Sequence, residues 1–301
     1  MYLEHFQLDK APFTLTPDTG FFYAHASQRE ALNVLRVALG SGEGFIKVSG
    51  EVGTGKTLLC RQLLNTLGGE FVTAYIPNPQ LTPAALRMAF AEELGLSFPR
   101  NLGQHRLTKL INERLVELNA AGKRAVLLID EAQAMPEDSL EALRLLTNLE
   151  TEHDKLLLVV LFGQPELDRR LAQASIRQLR QRIVFSYRLR PLDRAAVARY
   201  VAHRLRVAGH AGPPLFSPRA LRRLHGATGG VPRLVNVVSH KALMLAYGRG
   251  ERRVSARHVQ RAAADTEAAH TTRLVPLWYG TLGAVTTLAG VGMYYVWSLA
   301  R

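Results

Sequence analysis

Hydrophobic positions along the chain follow two different periods. Short, nearly continuous apolar runs predict five strands, at 45–49, 71–76, 125–129, 156–162 and 184–187. Between these runs, apolar residues recur every three or four positions, which is typical of helices with one buried face. Uninterrupted apolar runs fit strands that are buried on both faces of a parallel sheet. The alternation of strands and helices therefore predicts an α/β fold.

The stretch after the first predicted strand carries a glycine-rich phosphate-binding pattern. Residues 50–57 fit G-x-x-x-x-G-K-[ST], and we predict that all of them contact nucleotide: Gly50, Glu51, Val52, Gly53, Thr54, Gly55, Lys56 and Thr57. Glycines let the backbone approach the phosphates closely, and successive N–H groups can form an anion nest. A strand before the pattern and a helical period after it bring the phosphates to a helix N-terminus.

Two residues of this loop have predicted roles of their own. Lys56 reaches the β- and γ-phosphates as a point charge, and the Thr57 hydroxyl binds Mg²⁺. The substrate is then ATP, and the metal ion is magnesium. A glycine-rich turn that binds nothing is the alternative reading, and the strand–loop–helix context argues against it.

Carboxylates follow the third predicted strand. Asp130 and Glu131 come directly after the apolar run 125–129, at the edge where open α/β sheets bind ligands. This pair resembles a Walker B motif, in which Asp130 holds Mg²⁺ and Glu131 activates the attacking water. Gln164 follows the fourth strand and is predicted to stand at the same edge. A helix cap for the pair and an ordinary loop amide for Gln164 are the alternatives.

Three arginines are candidates for contacts to phosphate. Arg180 and Arg182 precede the last predicted strand, so either could act as an arginine finger on a neighbouring subunit's γ-phosphate. Arg233 starts a predicted helix just after two glycines, which suits a phosphate contact in its own subunit. The alternatives are surface guanidinium groups for the first two and a structural arginine for Arg233.

The pattern predicts three parts of the chain. We expect an α/β nucleotide-binding domain at 1–190 and an all-helical lid at 191–270, where the pattern is helical throughout. At 274–300 we expect a transmembrane helix, because this run has no charged residue, exceeds the roughly 20 residues that cross a bilayer and carries aromatic residues near both ends. Ser27, with Glu30 three residues later, predicts the cap of a helix over 27–39.

Composition limits the classes of function. The net charge is +13 and uneven, because residues 1–160 carry 15 Lys/Arg and 19 Asp/Glu whereas residues 161–301 carry 23 and 6. The basic half could face nucleic acid, an acidic partner or anionic lipid, or could simply be solvated. Cys60 is the single cysteine, so no intramolecular disulfide forms. Polar residues near the N-terminus predict that there is no cleavable signal peptide.

These features together resemble an AAA+ ATPase, with Gln164 in the sensor 1 position and Gly-Val-Pro-Arg at 230–233 as sensor 2. More narrowly, the chain is similar to the ExeA/GspA-type general secretion pathway ATPases, and most to those of MSHA type IV pilus biogenesis. The stretches that carry this resemblance are Phe6, Pro12-Phe13, Pro17-Asp18, Phe21-Phe22-Tyr23, Asp130-Glu131-Ala132-Gln133, the run Leu-Phe-Gly-Gln-Pro-Glu-Leu at 161–167 and Leu-Arg-Gln-Arg-Ile at 179–183.

The resemblance implies a RecA-like parallel sheet of order 5-1-4-3-2, a helical lid and ATP-dependent self-assembly into a ring-type homo-oligomer. Its implied role is a membrane-anchored ATPase at the inner membrane, facing the cytoplasm, that drives a secretion or MSHA-like pilus machine. The implied partners are inner-membrane assembly proteins and the lipid bilayer, with no specific nucleic acid. ExeA-type proteins place a peptidoglycan-binding domain after the membrane helix, so we expect cell-wall contact here to come from a partner.

Two other functions remain open. Transposition and origin-binding AAA+ ATPases share the predicted core, and the basic half suits contacts to a phosphate backbone. An ATP-gated assembly scaffold with negligible turnover is the third possibility. The predicted membrane segment argues against the DNA-binding function, and the intact set of catalytic residues argues against the scaffold.

Overall fold

A single parallel sheet forms the centre of the α/β part of the chain. The computed structural model describes residues 1–42, 44–99, 101–148 and 155–269. The strands are β1 (Phe45–Ser49), β2 (Phe71–Ile76), β3 (Arg124–Ile129), β4 (Leu157–Gly163) and β5 (Ile183–Arg188). All pairings are parallel, in the order β2-β3-β4-β1-β5. The predicted order 5-1-4-3-2 is confirmed.

The strand order decides which loops meet. Strand β4 lies between β1 and β3, with Ser49 paired to Gly163 and Ile129 paired to Leu161. Because parallel strands share one carboxyl edge, the loops that follow β1, β3 and β4 emerge side by side. The glycine-rich loop, Asp130-Glu131 and Gln164 therefore come from adjacent positions on one rim.

Twelve helices and three short 3₁₀ turns complete the described residues. The helices are α1 (Tyr2–His5), α2 (Ala26–Gly40), α3 (Lys56–Thr66), α4 (Pro83–Glu93), α5 (Gln104–Ala120), α6 (Glu137–Leu146), α7 (Pro165–Leu171), α8 (Arg177–Arg182), α9 (Arg194–Val207), α10 (Pro218–Thr228), α11 (Pro232–Tyr247) and α12 (Ala256–Ala264). The 3₁₀ turns are Thr19–Phe21, Ala132–Ala134 and Ala174–Ile176.

Three apolar clusters hold these layers together. One face of the sheet packs on α4, α5 and α6, and the other face packs on α2 and α3. The third cluster is formed by the four helices α9, α10, α11 and α12 and includes Phe6, Phe13 and Phe21 from the N-terminal segment. The lead-in before α2 therefore packs on the C-terminal helices, although it precedes the sheet in sequence.

The predicted cap of the helix over 27–39 is wrong. The helix begins at Ala26, its N-cap is His25, and no side chain caps it. The Ser27 hydroxyl instead accepts a 3.1 Å hydrogen bond from the backbone N–H of Arg190. The Glu30 carboxylate accepts a 2.8 Å bond from the Tyr187 hydroxyl. Both polar groups are thus used to fasten α2 to the end of β5.

The fold class predicted from the sequence included a C-terminal transmembrane helix, and this part is corrected. Within the described residues, no helix is long and apolar enough to cross a membrane. The longest, α5, has 17 residues and spans about 25 Å, which is less than the roughly 30 Å of a bilayer core. The predicted segment 274–300 lies outside the described residues.

Candidate nucleotide site

The glycine-rich loop adopts a conformation that requires glycine at two positions. Gly53 and Gly55 have φ of +81° and +95°, in the left-handed region that L side chains rarely adopt. A Cβ atom added at Gly53 would lie 2.6 Å from the Cβ of Arg233, and one added at Gly55 would lie 2.9 Å from Nε2 of Gln28. The loop is therefore enclosed by α11 on one side and α2 on the other.

Lys56 is the first residue of α3 and is folded back into the loop. Its ammonium group donates hydrogen bonds of 2.8 and 3.0 Å to the carbonyl oxygens of Gly50 and Glu51. The side chain is only 4% exposed, and burial lowers its pKa, opposed by the carboxylates of Glu131 and Asp130. The Lys56 ammonium group is thus held by two neutral carbonyl groups, and an anionic phosphate could replace them as its partner.

Thr57 and Asp130 form an oxygen pair beside Lys56. The Thr57 hydroxyl is close enough to favour the charged form of Asp130, and the Asp130 carboxylate accepts a 2.9 Å bond from the backbone N–H of Glu131. Asp130 is 2% exposed, and burial raises its pKa although both of these neighbours favour the charged form. A hydroxyl and a buried carboxylate are hard oxygen donors, which fits Mg²⁺.

Glu131 follows in a strained conformation. Its φ of +51° is in the left-handed region, which costs a non-glycine residue about 1–3 kcal/mol. Oε2 of Glu131 accepts a 3.0 Å hydrogen bond from the amide of Gln164 and another from the amide of Gln133. Residues from the ends of β3 and β4 are therefore joined through one carboxylate oxygen.

These groups border a cleft of about 340 Å³ between the sheet edge and the C-terminal helices. On the sheet side it is lined by Val52, Gly53, Gly55, Lys56, Thr57, Leu58, Glu131 and Gln164. Three other predicted contact residues, Gly50, Glu51 and Thr54, do not line it. The Thr54 hydroxyl instead donates a 2.8 Å bond to the carbonyl of Glu51 and closes the loop on itself.

The opposite wall contains residues that the sequence did not single out. It is formed by Thr14, Leu15, Thr16, Pro17, Asp18, Tyr200, Arg204, Pro232, Arg233 and Asn236. Of these, only Arg233 was predicted as a site residue, and Pro17, Asp18 and Pro232 were named only as part of the family resemblance. The prolines and aromatics at 12–23 were the available signal, because they carry part of the family resemblance, but they do not show what this segment borders.

A buried arginine fastens the N-terminal segment to this wall. Arg204 is 5% exposed and donates to the carbonyl of Pro12 and, at 3.1 Å, to the hydroxyl of Tyr200. Its guanidinium lies 4.4 Å from the centre of the Phe21 ring. The Tyr200 hydroxyl in turn donates a 2.9 Å bond to Asn236. One network thus joins the lead-in, α9 and α11 beside the cleft.

Arg180 and Arg182 lie away from the cleft of their own chain. Both are in α8, at the end that precedes β5. Arg182 is half-buried and donates a 3.2 Å hydrogen bond to the Thr147 hydroxyl, whereas Arg180 is exposed. Neither lines the cleft of its own subunit, so a contact to phosphate from either would have to be made to a neighbouring subunit.

Known structures share this fold. The Aeropyrum pernix ORC2 protein, in ADPNP–ADP complexes, superposes with a TM-score of 0.64 at 17% identity, over 85% of this chain and 72% of that one. Cdc6p from Pyrobaculum aerophilum gives 0.64 at 20% identity, over 82% and 70%. Aeropyrum pernix ORC1 in complex with DNA gives 0.60 at 21%, over 86% and 70%. At these identities the likeness is one of fold alone.

Sequence comparison identifies related protein families. Residues 38–171 match the AAA domain family AAA_22. General secretion pathway protein A of Aeromonas hydrophila is 46% identical over 254 residues, which is 84% of this chain and 46% of that protein. The chain thus spans about half the length of this relative. The predicted resemblance to the ExeA/GspA-type ATPases is confirmed: the chain carries an AAA domain and is a homologue of General secretion pathway protein A.

Proposed function

We propose that the protein is an ATPase that binds ATP with Mg²⁺ and hydrolyses it to ADP and phosphate. One observation carries the proposal: Lys56, Glu131 and Gln164 line a single cleft, and Asp130 lies buried beside it. Phosphoryl transfer to water uses a cation that binds the phosphate and a carboxylate that orients the attacking water, and Lys56 and Glu131 provide these two groups. In this proposal all eight residues of the loop at 50–57 belong to the nucleotide site.

Each residue then has a defined task. Thr57 and Asp130 hold Mg²⁺, which when bound neutralises phosphate charge. The ammonium group of Lys56 exchanges its carbonyl partners for phosphate oxygens, so its hydrogen bonds become charge-assisted. The carboxylate of Glu131 accepts a proton from the attacking water. Arg233, whose side chain borders the cleft on the lid side, contributes a second cation toward the phosphates.

The same reasoning extends to assembly and to cellular role. We propose that the chain forms a ring-type homo-oligomer, with Arg182 or Arg180 as the finger. Homology to General secretion pathway protein A supports a role in driving a secretion or MSHA-like pilus machine. Its partners are then assembly proteins of the inner membrane, and its ATP site faces the cytoplasm, where nucleotide is available.

Two substitutions test the enzymatic proposal and separate binding from chemistry. Lys56→Ala should abolish ATP binding, because the phosphates lose their buried cation. Glu131→Gln should keep binding and lose turnover, because the phosphate contacts are untouched. Phosphate release and nucleotide titration report the two steps. Wild-type protein that binds ATP without turnover supports the assembly scaffold instead, and normal turnover by Glu131→Gln refutes the role given to Glu131.

A basic face on the lid favours a second candidate function, binding to nucleic acid. Residues 216–264 contain nine arginines and Lys241 against one acid, Glu251. A parallel bridge between Phe216 and Val254 brings the starts of α10 and α12 together. The exposed arginines on or just before α10 and α12 are Arg219, Arg222, Arg252, Arg253, Arg257 and Arg261. Guanidinium groups bind phosphate oxygens in pairs, so this face suits a nucleic-acid backbone.

Salt dependence tests this second candidate. A DNA duplex that binds this face should lose affinity steeply as salt rises, because counterions are released. The double substitution Arg252→Glu and Arg257→Glu should then abolish binding, whereas Lys109→Glu on α5 should not. Binding that is weak, or equal in both variants, leaves the secretion role as the function that the molecule supports.

A further inference from the structure

Gln133 makes contacts that the proposed roles do not use. It lies in the 3₁₀ turn Ala132–Ala134, two residues after Glu131. Its side-chain amide donates to Oε2 of Glu131, and its side-chain oxygen accepts a 3.0 Å bond from the backbone N–H of Gln164. One glutamine side chain therefore bridges the ends of β3 and β4.

These two contacts determine how the Gln133 amide is oriented. Its NH₂ group faces a carboxylate and its oxygen faces an N–H group, so both ends are matched. The reversed orientation would bring two donors together and two acceptors together. The bridge is thus specific for an amide: a carboxylate at this position would face Glu131 with a like charge.

The bridge engages only one of the two carboxylate oxygens of Glu131. Oε2 accepts from both Gln133 and Gln164, whereas within the described residues Oε1 accepts no hydrogen bond. Glu131 itself lines the cleft. Anchoring by one oxygen holds the group in a fixed direction while the other oxygen stays available for water.

The backbone around Gln133 is held as well. Its carbonyl accepts a hydrogen bond from the guanidinium of Arg170 in α7, which follows Gln164 in sequence. The N–H of Glu131 is bonded to Asp130, at the residue with positive φ. The turn that carries Glu131 is therefore fixed on both sides, and the remaining freedom is the rotation of its side chain.

We infer that Gln133 is the positioning residue for Glu131, and that it keeps the carboxylate aimed when Gln164 turns toward the nucleotide. This rests on the proposed ATPase function. Gln164 and Gln133 share Oε2 of Glu131, but of the two only Gln164 also lines the cleft. If Gln164 leaves, Gln133 is the donor that remains on Glu131.

Gln133→Met tests the inference, because methionine keeps the length of the side chain and removes both hydrogen bonds. We expect kcat to fall about tenfold or more while ATP affinity stays within about twofold, since phosphate contacts are unaffected. Gln133→Glu should be slower still, because its carboxylate repels that of Glu131. Gln260→Met, at an exposed position of α12, is the matched control and should behave like wild type.

A double-mutant cycle measured by Tm tests the contact between Gln133 and Glu131 without relying on activity. The drop in Tm caused by Gln133→Met should be smaller in Glu131→Gln protein, because an amide oxygen accepts a weaker hydrogen bond than a carboxylate. Wild-type kcat in Gln133→Met, or additive Tm changes, overturns the inference. Absence of turnover in the wild type overturns the proposed ATPase function instead, while the Tm cycle still tests the bridge.

Discussion

The backbone N–H of Arg233 donates a 3.1 Å hydrogen bond to the carbonyl oxygen of Gly53. The first turn of α11 is thereby fastened to the glycine-rich loop, and the Arg233 side chain also borders the cleft. Because this bond uses only backbone atoms, a substitution at Arg233 removes the guanidinium and keeps the connection. The contribution of the side chain to nucleotide binding can therefore be measured by itself.

Arg233→Ala should weaken ATP binding about tenfold or more, because a hydrogen bond to a charged group contributes about 1.5–3 kcal/mol. The unfolding temperature should change little. Titration with a fluorescent ATP analogue measures the affinity. Arg253→Ala, an exposed arginine before α12, is the control and should bind like wild type. Equal affinities in all three proteins would show that Arg233 has a structural role only.

Asp130→Asn should raise the unfolding temperature of nucleotide-free protein at pH 7 and abolish its stabilisation by Mg²⁺ and ATP. Burial raises the pKa of Asp130 above its ordinary 3.8. The native state therefore holds this proton more tightly than the unfolded state does. The contribution of this carboxyl to stability is full below pH 3.8 and is lost as pH rises through its native pKa.

Calorimetry of the two proteins between pH 3 and pH 7 measures this effect. The stability gain of Asp130→Asn over wild type should grow as the pH rises. Asp138→Asn, at an exposed position in the first turn of α6, should instead lose a little stability, since it removes an acid that complements the helix dipole. A gain that is independent of pH would exclude ionisation of Asp130 as its cause.

Arg204→Met should destabilise the protein by about 3 kcal/mol, because it leaves the buried carbonyl of Pro12 without its donor. The N-terminal segment should also become sensitive to protease, since Arg204 fastens it to α9. Urea unfolding and limited proteolysis measure the two effects. Arg206→Met, at an exposed position of the same helix, controls for loss of charge and should change neither. Unaltered proteolysis of Arg204→Met would contradict the fastening role.

Arg182→Ala should bind ATP nearly normally and hydrolyse it poorly if Arg182 acts on the neighbouring subunit's site. Mixed with inactive Glu131→Gln protein, it can form interfaces in which both residues are intact. Activity should then partly return on mixing and rise with protein concentration. Arg180→Ala is tested in the same way. Full activity in both single variants, or no recovery in proven mixed oligomers, rules out the shared site.

Local signals in the sequence were sufficient for the sheet and for the glycine-rich loop. Glycine spacing predicts a phosphate loop because the required φ values belong to single residues such as Gly53 and Gly55. An apolar run predicts a buried strand, and the position of Asp130 and Glu131 after it follows from strand direction. The strand order came from the family resemblance, and the pairings confirm it.

Side-chain partners were decided by tertiary structure alone. Ser27 and Glu30 have the spacing of a capping box, yet residues about 160 positions away along the chain bind them instead. A local hydrogen bond and a distant one differ little in energy, so spacing could not decide between them. The distant partner was available only because β5 packs beside α2.

Tertiary packing also decided which residues line the cleft. Its sheet-side wall was predictable because Lys56 and Glu131 follow strands whose ends share one edge. The opposite wall unites Thr14, Arg204 and Asn236, which are far apart in sequence and meet because the N-terminal segment packs on the C-terminal helices. The sequence by itself thus determined the glycine-rich loop and the carboxylates at the sheet edge, and the packing of distant apolar surfaces decided which other residues surround them.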